Sequence, residues 1–172
     1  MGLPKIYFVI GANGVGKTTL FAHLVALLPQ SLFELHDFDE RGVPDNADKN
    51  WRISETNYWI SLGEENKRRG VSTVICGFSK PEEIGERAEI ILLDVNAESL
   101  GKRLRGRYQT EESLKELERT TGKSVEKFLT DNIYVSSLLR KSCEERGCKV
   151  IDTSNLSPIK VAQEVTKYID SN

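Results

Sequence analysis

The sequence predicts an α/β fold in three layers, with helices on both faces of a five-stranded parallel sheet. Two observations carry this expectation. Five short apolar and β-branched runs recur along the chain, and longer stretches with helical spacing separate them. The middle runs are nearly all apolar, as parallel strands covered on both faces require.

The elements follow in order. Residues 5–10 read as the first strand, and residues 18–28 as a helix stopped by Pro29. A second strand is expected at 32–35. A helix over 50–69 follows, carrying Trp51, Tyr58, Trp59 and Leu62 and ending at Gly70. Strands at 72–76 and 89–94 precede a helix over 97–105 whose basic C-terminal end suits the helix dipole. The polar stretch 106–123 reads as a mobile lid with a short charged helix at 111–119. Residues 124–146 form the longest helical pattern, and 149–152 the fifth strand. Ser157 and Pro158 open the last helix, with Val161, Val165 and Ile169 on its core face.

Composition bounds the class. A chain of 172 residues is one domain, 1–172, with a sizeable core. Its 24 basic and 26 acidic side chains leave no basic field to recommend nucleic acid as a partner. No apolar run approaches membrane-spanning length. The opening residues lack a signal-peptide layout, and Gly2 lacks the Ser or Thr that myristoylation needs, so a cytoplasmic location is expected. Cys76, Cys143 and Cys148 lack metal-site spacing and read as structural thiols. His23 and His36 show no partner pattern and read as core or surface histidines.

One motif speaks directly of chemistry. Gly11-Ala12-Asn13-Gly14-Val15-Gly16-Lys17-Thr18 fits the phosphate-binding loop (P-loop) pattern at every defined position, between a strand and a helix start. Glycines let several backbone N–H groups converge on one phosphate, where the helix dipole adds positive charge. Lys17 then reaches the β- and γ-phosphates, and the Thr18 hydroxyl, followed by Thr19, faces Mg²⁺. The fold expected is therefore the three-layer P-loop NTPase fold, with a nucleoside triphosphate and Mg²⁺ as cofactors.

The order of features resembles the P-loop kinases of small molecules and nucleotides: shikimate, gluconate and adenylate kinases. Asp37-Phe38-Asp39 is similar to an Asp-x-Asp of shikimate kinases. The resemblance implies that Asp37 assists Mg²⁺ and that Asp39 orients or deprotonates the acceptor hydroxyl; a solvated turn is the alternative. Trp51-Arg52-Ile53-Ser54-Glu55 is similar to their aromatic-Arg-x-x-Glu, implying that Arg52 and Glu55 face substrate; an exposed ion pair is the alternative. Cys76-Gly77-Phe78-Ser79-Lys80 partly matches Asp-Gly-Phe-Pro-Arg of adenylate kinases, with Cys76 in place of the carboxylate. There Gly77 admits close backbone approach to a substrate and Lys80 stands for the arginine on an acceptor phosphate. In Arg103-Leu104-Arg105-Gly106-Arg107, the resemblance implies that Arg103 stacks on adenine and Arg107 closes over the transferring phosphate, with Arg105 as a second contact. Thr153 and Ser154 would pack against the adenine.

The resemblance thus implies an ATP-dependent kinase acting on a hydroxyl of a small metabolite, with substrate contacts within 37–70 and a lid at 106–123. Two rivals stand beside it. A nucleoside monophosphate kinase lacks support in Cys76 and in the Asp-x-Asp, which repels a phosphate acceptor. A nucleotide switch or slow NTPase lacks an Asn-Lys-x-Asp run and an acidic pair after the third strand.

Overall fold

The computed structural model describes residues 3–172; Met1 and Gly2, on which the myristoylation reading falls, lie outside the described residues. The strands are β1 (Ile6–Ile10), β2 (Phe33–Asp37), β3 (Ser72–Cys76), β4 (Glu89–Asp94) and β5 (Lys149–Asp152). They form one parallel sheet in the order β2-β3-β1-β4-β5. The helices are α1 (Lys17–Leu27), α2 (Lys49–Arg68), α3 (Pro81–Ile84), α4 (Ala97–Arg107), α5 (Glu111–Thr121), α6 (Val125–Arg146) and α7 (Pro158–Asp170).

Alternation along β1 builds the three layers, because successive side chains on a strand point to opposite faces. Tyr7 and Val9 join Leu20 and Leu24 of α1, Leu100 and Leu104 of α4, and Val161 and Val165 of α7 in one core. Ile6, Phe8 and Ile10 join Trp59 and Ile60 of α2, Ile84 of α3 and Leu139 of α6 in the other. All five residues of β1 are buried, which explains their uninterrupted apolar run.

Four elements differ from expectation. β2 runs to Asp37 and not only to residue 35, since this half-exposed edge strand alternates polar and apolar residues and hides its end among acidic side chains. α3 spans four residues and was not expected; a Pro at its first position and Lys80 before it open a single turn followed by a 3₁₀ turn at Gly85–Arg87. The polar stretch 106–123 holds a full helix, α5, opened by a capping box between Thr110 and Ser113 and closed by Gly122. α4 runs on through Arg107, so Arg105 and Arg107 belong to its last turn.

Candidate active site

The carboxyl ends of β1, β2, β3 and β5 open onto one cleft of about 620 Å³. Asn13, Gly14, Val15, Gly16, Lys17, Thr18 and Thr19 line one side of it, and Asp37, Asp39, Gly77, Arg103, Arg107 and Thr153 line the rest. Open α/β sheets bind ligands at this end.

The loop after β1 is shaped for an anion. Gly14 takes a φ of 87°, and a Cβ on it would stand 2.8 Å from Leu104 of α4. Asp48, Asn96, Thr110 and Ser124 cap their helices through side chains, whereas Gly16 before α1 offers none. The first-turn N–H groups of α1 are thus left for a ligand. Gly11 and Ala12 sit behind the cleft, where their carbonyls accept from the Lys17 ammonium at 2.7 and 2.9 Å. Burial pushes the Lys17 ammonium down to about 8, although Asp39 and then Asp37 pull the other way. A charge held in so poorly solvated a place is stabilised by an arriving phosphate.

The two aspartates differ in setting. Asp37 Oδ1 accepts the Asp39 N–H at 2.9 Å, and the Asp37 N–H donates to Glu40 at 3.1 Å. The pair is therefore a built turn. Burial raises the Asp39 carboxyl above its ordinary range, Arg52 opposes this, and the Asp37 charge adds to it. Arg52 itself lies between the rings of Trp51 and Phe78, 5.4 and 5.1 Å from their centres, and donates to the Phe78 carbonyl at 3.4 Å. Its charge acts on Asp39, although it is not among the residues that line the cleft. Cys76, paired in register with Asp37, is fully buried and its thiol is pushed up to about 12 by burial. It contributes no charge.

On the nucleotide side, Arg103 donates to the Thr153 hydroxyl at 3.0 Å, to the Thr153 carbonyl at 2.6 Å and to the Val15 carbonyl at 3.2 Å. α4 is thereby tied to both the phosphate loop and the loop after β5. Arg107 lines the cleft and lies 5.6 Å over the Tyr108 ring.

Four expected contacts face elsewhere. Glu55 is buried and accepts from Arg41 at 3.1 Å, while Arg41 stacks 3.6 Å from the Tyr58 ring, so Glu55 anchors the loop after β2. Arg52 and Glu55 share a helix face without pairing with each other. Arg105 pairs with Glu126 at 3.0 Å outside the cleft. Ser154 accepts the Asn96 N–H at 2.8 Å and donates to Asp152 at 2.5 Å, which fixes its loop. Lys80 precedes α3 and does not line the cleft. At Gly77 the close approach is made by the protein itself: a Cβ there would fall 2.1 Å from Phe38 Cβ.

The structure adds residues that sequence reasoning did not reach. Asn132 of α6 is buried and accepts the Asn13 N–H at 3.1 Å, holding the phosphate loop from the second layer. Asp94, at the end of β4, is buried and pairs with Arg140 of α6, with Ser136 donating to it at 3.3 Å. His36 bridges Glu34 and Glu40 at 2.8 and 2.7 Å and packs on Trp59 at 4.7 Å. Only His36 had a visible signal, in its acidic neighbours at two and four residues.

The phosphate loop, the parallel strand order and the helices around the sheet define a P-loop kinase fold. The solved structures that share it include a shikimate kinase from Acinetobacter baumannii, 19% identical, with a TM-score of 0.58 over 98% of this chain and 94% of that one. A sugar kinase from a Janibacter species is 18% identical, with a TM-score of 0.59 over 97% and 95%. A shikimate kinase from Aquifex aeolicus is 14% identical, with a TM-score of 0.51 over 97% of each chain. No protein-family model matches the sequence, and no curated protein matches it at a significant level.

Proposed function

We propose that this chain is an ATP-dependent phosphotransferase that moves the γ-phosphoryl group to a hydroxyl of a small metabolite. One observation carries the reading: Asp39, with its raised carboxyl, lines the same cleft as the phosphate loop, Lys17 and Arg107. A nucleotide-binding switch has no use for an acceptor-side carboxylate there. The kinase fold shared with the shikimate and sugar kinases supports it.

The residues have separate tasks. The loop amides and Lys17 hold the β- and γ-phosphates, and Arg107 approaches the transferring group from the last turn of α4. Arg103 and Thr153 frame the base side. Asp39 accepts the hydroxyl proton or aligns the oxygen for in-line attack, and its raised carboxyl brings it nearer the operating pH. Arg52, whose charge acts on Asp39, offers the remaining face of its guanidinium to an anionic or polar group of the acceptor. The substrate segment 37–70 and the lid 106–123 belong to this same single domain, and a cytoplasmic setting suits a metabolite kinase.

The site fits Mg²⁺ carried in with the nucleotide. Among the described residues no cluster of three or more His, Cys, Asp or Glu side chains forms a protein cage for a metal. Thr18 and Asp37 line the cleft beside the phosphate loop. One hydroxyl, one carboxylate, phosphate oxygens and water make a donor set that Mg²⁺ favours. Bound there by Thr18 and Asp37, Mg²⁺ would neutralise charge on the phosphate oxygens.

The test is a screen of hydroxyl metabolites, sugars, nucleosides and nucleoside monophosphates for acceptor-dependent ADP release. A hydroxyl metabolite that raises ADP release and appears phosphorylated by mass supports the reading. Hydrolysis of ATP at one rate with and without every acceptor overturns it in favour of an NTPase. Exclusive use of nucleoside monophosphates overturns the hydroxyl assignment.

A further inference from the structure

The two cysteines at the end of α6 meet in a more specific geometry than structural thiols require. Gly147 follows α6 in a left-handed conformation, with φ of 67°. Its N–H donates to the Glu144 carbonyl at 3.2 Å, and the Cys148 N–H donates to the Cys143 carbonyl at 3.0 Å. Nested bonds of this kind form a Schellman turn, which sets the side chains of its first and sixth residues against each other. In most proteins that contact is apolar. Here the two positions are Cys143 and Cys148.

Both thiols pack in the same apolar cluster, Cys143 buried and Cys148 partly exposed. Burial, and next the neighbouring Cys148, hold the Cys143 thiol above its ordinary range. Cys148 borders a cleft of about 600 Å³ with Lys5, Glu89 and Arg146, at the amino ends of the strands and away from the nucleotide cleft. A small solute therefore has access to Cys148. Cys76, at the carboxyl end of β3, serves as an internal reference.

We propose that Cys143 and Cys148 are a redox-modification site that closes a reversible disulfide with low-molecular-weight disulfides of the glutathione class. The Cys148 thiolate, its proton released to water, attacks one sulfur of the oxidant. The oxidant's S–S bond breaks, a mixed disulfide forms on Cys148, and one small thiol leaves. Cys143 then gives its proton to water and attacks the Cys148 sulfur. The protein disulfide forms, and the second small thiol departs. Two protein thiols lose two electrons and two protons, which the oxidant carries off as two thiols. The turn supplies the proximity that lets a poorly ionised Cys143 complete the second step.

The whole protein is incubated with oxidised glutathione, remaining thiols are trapped with iodoacetamide, and intact mass and peptide maps are read. Wild type should lose trappable Cys143 and Cys148 together, retain no glutathione, keep Cys76 trappable only on denaturation, and recover both thiols with dithiothreitol. Cys143→Ala should stop at a stable glutathione adduct on Cys148. Because truncating a buried side chain endangers folding, Cys148→Ser is measured alongside, and its Cys143 should stay unmodified. Wild type that retains glutathione on Cys148, or keeps both thiols free where Cys143→Ala is glutathionylated, overturns the proposal. Glutathione on Cys143 of Cys148→Ser overturns Cys148 as the entry thiol.

Discussion

Asp37 and Asp39 lie two residues apart where β2 ends, yet their surroundings pull them toward different work. Asp37 is bonded into the turn through one oxygen, and Asp39, open to the cleft, feels the Asp37 carboxylate and the charges of Arg52 and Lys17. Asp37→Asn should raise the Mg²⁺ requirement and slow turnover while leaving the acceptor KM near wild type. Asp39→Asn should lower kcat ~10²–10⁴-fold, as loss of a general base does, with Mg²⁺ dependence unchanged. Rates measured against Mg²⁺ and against acceptor separate the two, and a pair of near-normal enzymes would reduce the segment to a loop. Lys17→Ala should cost ~10²–10³-fold or more in kcat, as removal of one aimed charge donor does. Lys17 also sets a pH dependence. Its lowered value near 8 means the free site loses its charge as pH rises through 8, and bound phosphate favours the charged form. Nucleotide affinity should therefore fall above about pH 8, with proton uptake on binding there. Calorimetry in buffers of differing ionisation enthalpy reads that uptake. Much of the cleft's lining was legible in the sequence, because the P-loop residues are contiguous and Asp37 and Asp39 are near neighbours. The partners of Glu55 and Arg105 were not. Arg41 and Glu126 come from other elements, and only the fold brings them there.

At the scale of elements, α5 has little buried surface to hold it against the rest of the molecule. Leu117 is its one buried residue, and its ion pairs, such as Lys115 with Glu111, lie within the helix itself. Exposed pairs of this kind contribute little, about 0.3–0.5 kcal/mol. The helix is locally well capped and globally poorly held, so it should move as a unit rather than melt. Amide exchange across residues 106–123 should be fast without ligand and slow when an ATP analogue and acceptor are bound together. Equal protection in both states would remove α5 from any lid role. Closure would also give Arg105 a choice, since its bond to Glu126 is exposed and a phosphate could replace it. Sequence periodicity located α5, but its short length and polar surface disguised how complete the helix is. α3 escaped notice for the opposite reason: four residues carry no period to read.

Across the whole molecule, α6 is the strut that joins the two ends of the design. It sends Asn132 to the phosphate loop, Arg140 to Asp94, and Leu139 and Cys143 into the core. Arg140→Ala leaves the buried Asp94 charge unpaired and should lower stability by roughly 3 kcal/mol, read from urea unfolding. Asp94→Asn combined with Arg140→Ala should recover much of that loss, because no lone charge remains. None of this was visible beforehand. Asp94 and Arg140 are 46 positions apart (140 − 94), and a polar residue on a long amphipathic helix has no mark of its distant partner. The strand pattern was readable because burial on both faces imposes one composition on every central strand. That same arrangement governs the order in which the molecule becomes competent. β1 precedes both its neighbours in the chain yet sits between them, with register partners at Thr73 of β3 and Glu89 of β4. A chain emerging from the ribosome thus displays its nucleotide loop long before anything can hold that loop in shape. The loop's geometry waits on β4 and on Asn132 of α6, so chains that end before them should bind nucleotide weakly and depend on slow, non-local pairing to acquire the loop.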